Sequence, residues 1–279
     1  LQYIGTTADS TSRAITLTGS GATLDASGTG SIIYSGGITG TATNLNLTGT
    51  GSGTESGVIG ITSGTLTKLG TGTWLLSNAN STYTGATTIT AGTLSVAHLA
   101  NSGTNSSIGT GATTPAISIA AAGILQYSGT TADSTSRAIT LTGSGATLDA
   151  SGAGSITYSG GVTGTATNLN LTGTGTGTVS GVIGTTTGTL TKSGTGTWSL
   201  TGLNTYTGTS TISSGTLAIN TLVSPGFGAS SLGNPSSGNE TITLGSTFGP
   251  TAVLAFMGGS DAFSSRPISL PSISSPVIQ

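Results

Sequence analysis

The stretch GTLTKSGTGTWSLTGLNTYTGTSTISSGTL runs from Gly188 to Leu217, and a twin, GTLTKLGTGTWLLSNANSTYTGATTITAGTL, runs from Gly64 to Leu94. Apolar residues fall at alternate positions: Leu190, then Trp198 and Leu200, then Ile212, then Leu217, with glycines between the short runs. A period of two sends one row of side chains inward and the next toward water, which is strand behaviour. Each run holds too few inward residues to bury a face alone, so the runs must stack on copies of themselves. The stretch is a building unit, not an active site.

Working outward, the stretch belongs to a longer repeat. Leu1–Tyr3 returns as Leu125–Tyr127, and TTADSTSRAITLTGSGATLDASG from Thr6 to Gly28 recurs from Thr130 to Gly152. A third copy starts at Leu254, where LAFMGGSDAFSSRPISL mirrors LQYSGTTADSTSRAITL and Arg266 answers Arg137. The chain thus divides into a long repeat at 1–124, a second at 125–253 and the start of a third at 254–279, expected to form one continuous rod. Within the first repeat, Thr-x-Thr pairs at Thr16/Thr18, Thr41/Thr43, Thr65/Thr67 and Thr88/Thr90 enclose Leu17, Ala42, Leu66 and Ile89. Such pairs every two dozen residues predict one face of a wound β-coil with three short strands and glycine-rich corners, a right-handed parallel β-helix. At ~4.8 Å per coil, a long repeat is about five coils and the whole rod roughly 50–60 Å. No segment shows the 3.6-residue period of a capped helix. The chain reads as all-β.

The signature residues carry a resemblance. Leu190, Lys192, Gly194, Gly196, Trp198, Leu200, Asn204, Tyr206 and Gly208 are similar to the autotransporter-associated β-strand repeat, or passenger-associated repeat. The first copy matches at Leu66, Lys68, Gly70, Gly72, Trp74, Leu76, Asn80, Tyr83 and Gly85, with one residue inserted at Ser81 or Thr82. That repeat occurs in very large bacterial surface and secreted β-helix proteins, so the resemblance implies a scaffold at the cell surface or outside the cell. It implies structural roles for Lys68, Trp74, Asn80, Tyr83, Lys192, Trp198, Asn204 and Tyr206.

Composition excludes several functions. Glycine contributes 49 of the 279 residues and charged residues only 4%, which by itself would suggest disorder. The 33% of hydrophobic residues keep an alternating register, and a disordered chain does not. A net charge of −2 leaves no electrostatic footprint for nucleic acid or an anionic membrane. No apolar run approaches the roughly 20 residues that span a bilayer. No nucleic-acid partner and no membrane insertion are expected. The absence of cysteine fits a secreted protein folded without disulfides. With Leu1 at its start and no signal peptide, the sequence reads as a mature or excised segment.

Chemistry-bearing residues are few. Asp9, Arg13, Asp25 and Lys68 recur at Asp133, Arg137, Asp149 and Lys192, and charges copied into every repeat are scaffold features. Asp9 with Arg13, or Asp133 with Arg137, would pair to fasten a loop, for ~0–1 kcal/mol if exposed. Glu55 and Glu240 fall outside the repeat, and Val179 stands where Glu55 would recur. They make no acid–base pair of the kind a polysaccharide-processing β-helix needs. His98, replaced by Thr221 in the second copy, reads as a solvent-facing substitution. With one histidine and no cysteine, no metal site, cofactor or catalytic residue is expected. Trp74, Trp198, Tyr83 and Tyr206 suit core filling better than a sugar-stacking strip. The threonine ladder suits an ice-binding array only if it is unbroken, and a break is expected between long repeats.

The function expected is therefore a non-enzymatic stalk, fibre or adhesin segment. An ice- or glycan-binding module and a degenerate polysaccharide-processing enzyme are the competing readings. A β-helix exposes unpaired backbone at its ends. At one end stand Leu1 and Tyr3; at the other Ile268, Leu270 and Ile273 lie among Pro267, Pro271 and Pro276. These ends are expected to meet further chain of a larger protein or another subunit head to tail, an open-ended contact. Surface glycans are the other expected partner.

Overall fold

The computed structural model describes residues 1–111, 117–245, 250–259 and 264–271. Among them are thirty short strands and no helix. All the strand pairings are parallel, in sheets of nine, twelve, six and three strands. Each strand pairs with strands one coil away in sequence, so the chain winds as a parallel β-helix of about 11 turns. It has three sides. The nine-stranded sheet forms the first side and the twelve-stranded sheet the second. On the third side the three-stranded sheet occupies the first coils and the six-stranded sheet the later ones.

Inward rows explain the fold. On the first side Ala22, Leu45, Leu66, Thr87, Ile117, Ile139, Val162 and Ile183 stand in one register. Next to that row run Leu24, Leu47, Lys68, Ile89, Ile119 and Leu141. Nearly all are buried, giving one apolar column along the axis. Each aliphatic side chain in it contributes about 1.5–3 kcal/mol of burial. Glycine matters where the column must admit a large ring. Gly53 and Gly177 lie beside Trp74 and Trp198, and a Cβ on either would come within 2.7 Å of the indole.

The coil register differs from the sequence expectation. Thr16 pairs with Thr39, not with Thr41, and Leu66 stands beside Leu45 and Thr87, not beside Ala42 and Ile89. Ala42 instead occupies a corner with φ of 52°. Threonine serves both outward strand positions and corners, so Thr-x-Thr spacing does not distinguish them. The inward fit does. The outward row keeps its register across the long repeats, but threonine does not fill it. Asn46 interrupts it between Thr23 and Thr67, and Ser118 between Thr88 and Thr140, where the first long repeat gives way to the second; Thr163 follows Thr140.

Equivalent segments of the long repeats lie on different sides. Ile15–Leu17 is in the three-stranded sheet, Ile139–Thr142 in the nine-stranded sheet and Ile268–Ser269 in the twelve-stranded sheet. Thr73–Leu76 is in the twelve-stranded sheet, whereas Thr197–Leu200 is in the six-stranded sheet. One long repeat therefore spans five coils plus one side, and each copy is turned by about a third of a revolution.

Candidate functional site

The signature residues meet where a coil turns its corners. Lys68 and Lys192 end their strands pointing inward and are fully buried. Lys68 Nζ donates to the carbonyls of Leu69, Gly70 and Ala91 at 2.7, 2.9 and 3.1 Å. Lys192 Nζ donates to those of Ser193, Gly194 and Ser214 at 2.6, 2.9 and 3.1 Å. An ammonium has three donors, and here each finds an acceptor. Burial pulls both amines down to about 8, so the ammonium still predominates at neutral pH. Each lysine clamps its own corner to that of the next coil. Lys192→Met is expected to cost about 2–4 kcal/mol by leaving buried carbonyls unpaired. A denaturation midpoint equal to wild type in urea would contradict this role.

Trp74 and Trp198 are fully buried, and their Nε1 groups donate to Thr48 and Thr172 carbonyls, each at 2.8 Å. Trp74 stacks on Tyr34 with ring centroids 6.1 Å apart; Trp198 stacks on Tyr158 at 6.2 Å. Tyr83 and Tyr206 are likewise buried, their hydroxyls bonded to Thr87 Oγ1 and Ser210 Oγ at 2.8 Å. These four rings are not open to a sugar.

Asn204 and Asn80 are not equivalent in space. Asn204 is buried, accepts from Ile183 N–H at 2.7 Å and donates to the Ser231 carbonyl at 2.7 Å. In the first copy Ser81 takes that place: its Oγ accepts from Ile59 N–H at 3.1 Å, while Asn80 is exposed. The inserted residue thus lies before Ser81.

The recurring arginines have a role that local sequence did not reveal. Arg137 is buried beneath an arm that follows the strand Gly92–Val96, residues 97–111, donating to the carbonyls of Ile108 at 2.8 Å and Gly109 at 2.5 Å. Arg266 does the same beneath a second arm, residues 220–241, donating to the Leu232 carbonyl at 2.8 Å and the Glu240 carbonyl at 2.9 Å. Arg13 is exposed. The expected Asp133–Arg137 pair does not form. Residues four apart on an extended chain are separated by about 13 Å. Asp133 instead accepts from Leu99 N–H at 2.9 Å and faces His98 Nδ1 at 2.8 Å. Nor is His98 simply solvent-facing, being only a third exposed against Asp133. A signal existed: in the third copy's alignment Ala262 replaces Asp133 just where Thr221 replaces His98. Asp25 and Asp149 accept from Gln2 and Gln126 at 3.0 and 2.9 Å, and from Ser27 and Ser151.

Glu55 stands inward between Tyr34 and Leu76. One carboxylate oxygen accepts from Gly57 N–H at 2.8 Å; the other is buried without a partner. Burial pushes its carboxyl up to about 7. Glu240 lies far along the chain and accepts from Gly238 N–H at 2.8 Å. Among the described residues no three His, Cys, Asp or Glu gather as a metal site. No helix of the described residues is long and apolar enough to cross a membrane.

At the ends, Leu1 is exposed and Gln2–Tyr3 pairs with Gly21–Ala26, while Ile268 and Leu270 are exposed beside Ile242–Leu244. Ile273 lies outside the described residues.

No curated protein and no solved structure matches the chain. The family model of the passenger-associated-transport-repeat matches residues 66–96 and 190–219, the segments that hold the two lysine clamps and the two buried indoles. The chain therefore carries two passenger-associated-transport repeats, as autotransporter-associated repeat proteins do.

Proposed function

We propose that this chain is a non-enzymatic structural segment of an exported bacterial surface protein, a stalk, fibre or adhesin body. One observation carries the reading: the recurring lysines, buried arginines and aspartates engage the rod's own backbone or neighbouring side chains. Passenger-associated repeats support placement outside the cell. An epitope inserted at the exposed Phe227 tests it. In cells expressing the whole parent protein, intact cells should bind the antibody, and external protease should remove the signal. A signal appearing only after lysis would refute export.

The long repeats 1–124 and 125–253 act in this proposal as successive modules of one rod. Leu1 and Tyr3 then meet a like module, either upstream chain or another subunit joined head to tail. The internal junction supports this, because Gln126–Tyr127 is paired on both sides, with Ser95–Val96 and with Asp149–Ala150. The segment around Ile268, Leu270 and Ile273 serves the opposite end.

A second reading, an ice- or glycan-binding face, rests on the threonine-rich row from Thr23 to Thr163, which Asn46 and Ser118 interrupt. Thermal hysteresis in the purified protein tests the ice-binding form.

A further inference from the structure

Three arginines of the chain share one local build, and only two of them are covered. Arg13, Arg137 and Arg266 each donate a backbone N–H to the hydroxyl two residues earlier, on Thr11, Thr135 and Ser264, at 3.3, 3.3 and 3.2 Å. A Cβ on Gly36 would strike the Arg13 backbone as one on Gly160 would strike that of Arg137, so the corner is the same at both. Yet Arg137 and Arg266 are 5% and 6% exposed beneath their arms, whereas Asp9, Ser12 and Arg13 all face solvent.

Three side chains make the seat of the first arm. Asp133 accepts from Leu99 N–H at 2.9 Å, Ser136 Oγ accepts from Ser102 N–H at 3.2 Å, and Arg137 donates to the Ile108 and Gly109 carbonyls. All of these contacts reach the arm's backbone, so they recognise the path of a chain. The second arm is held alike: Ser264 Oγ donates to the Val223 carbonyl at 3.1 Å, and Arg266 to those of Leu232 and Glu240. Both arms carry Ser-Ser-aliphatic-Gly, at Ser106–Gly109 and Ser230–Gly233, with the aliphatic residue buried and its carbonyl taken by the arginine. Each arm leaves the strand before its seat, Gly92–Val96 or Gly215–Ile219, and lies over the coil that follows.

Asp9, Ser12 and Arg13 repeat Asp133, Ser136 and Arg137 within TTADSTSRAITL, which is identical in the two copies. Among the described residues the Arg13 side chain forms no hydrogen bond, and the Asp9 carboxylate meets only the neighbouring Ser10 N–H at 2.7 Å. Ile15, two residues on, is partly exposed where Ile139 is fully buried. A carboxylate, a hydroxyl and a guanidinium in this order offer charge-assisted partners to backbone that packing would otherwise leave unpaired. We propose that Asp9, Ser12 and Arg13 are the docking site for the arm of a further long repeat, stacked on the Leu1 side of the same rod. Its Ser-Ser-aliphatic-Gly segment lies over Arg13. A second copy of this chain is not the source, since both its arms are already seated, on Arg137 and Arg266. The proposal rests on the reading of the long repeats as successive modules and names the contact that joins them.

The test compares the full chain with an extended one, in which a copy of residues 1–124 is fused ahead of Leu1 and Arg13 of the added copy is changed to Gln. Arg13→Gln in the original copy should leave the melting midpoint of the unextended chain unchanged. In the extended chain it should lower the midpoint by about 4 °C or more, as Arg137→Gln does in either. Trypsin should cut the unextended chain after Arg13, because the other four lysines and arginines are buried. Cutting there should slow about tenfold or more in the extended chain. Replacing residues 97–111 of the added copy by a Gly-Ser chain of equal length should restore it. Equal Arg13→Gln effects in the two chains, undiminished cutting on extension, or protection that survives loss of the added arm would overturn the proposal. So would an added copy that fails to fold on the rod, by circular dichroism. Protection of the unextended chain that grows with its concentration would make another molecule the source and overturn it too. Failure here leaves export standing, since the epitope at Phe227 reads that on cells.

Discussion

Replacing Trp198 with alanine is expected to destabilise the rod by ~3–5 kcal/mol. Three contributions act together. The indole is fully buried, its Nε1 donates to the Thr172 carbonyl at 2.8 Å, and its ring lies nearly parallel to Tyr158. Neighbours cannot collapse into the space, because Gly177 beside the ring has no side chain to offer. The Thr172 carbonyl would also lose its indole donor. The melting midpoint should fall on the order of 10 °C. A midpoint within about a degree of wild type would mean that the ring does not fill the core. Trp74→Ala should behave alike, since Thr48, Tyr34 and Gly53 repeat the arrangement.

The second large effect runs the other way. Glu55→Val should stabilise the protein at neutral and higher pH, and the gain should vanish in acid. Folding raises this carboxyl from 4.5 to about 7 through burial, against a smaller opposing contribution from Gly57 N–H. A raised carboxyl favours the protonated form in the folded state. Below the unfolded value the carboxyl is protonated in both states and costs nothing. As pH climbs from 4.5 to about 7 the folded state must bury a charge, and the penalty is complete above that. A shift of this size corresponds to about 3 kcal/mol at the upper limit. Valine is tolerated at the matching place, since Val179 is buried in the second copy. The comparison is the difference between variant and wild type in urea midpoints at several pH values, which cancels the other titrating groups. A difference that stays constant from acid to alkaline pH would show that Glu55 does not titrate in this window.

The sequence by itself determined the class of fold. Alternation at Leu190, Trp198, Leu200 and Ile212, with too few inward residues per run, forces stacking of like coils. Because that logic is local, it also identified the buried residues: Trp74, Trp198, Tyr83 and Tyr206 all lie in the core. Only the tertiary structure decided the register. Thr16 could face Thr39 or Thr41 on spacing alone, and the choice fell to the inward column beside it. The third-of-a-turn offset between repeats followed, since it depends on how many residues each corner and arm consumes. The partners of Arg137 were hidden for the same reason, and those of His98 and Asp133 showed only in the paired replacements Thr221 and Ala262. They are joined across a coil by an arm that folds back, and chain neighbours carry no record of such contacts. The hydroxyls of Thr43 and Thr167, buried without a hydrogen-bond partner, are the furthest from sequence. Whether a threonine faces water, a partner or a closed space depends on atoms from several coils at once, so only the assembled rod distinguishes them from the many other threonines.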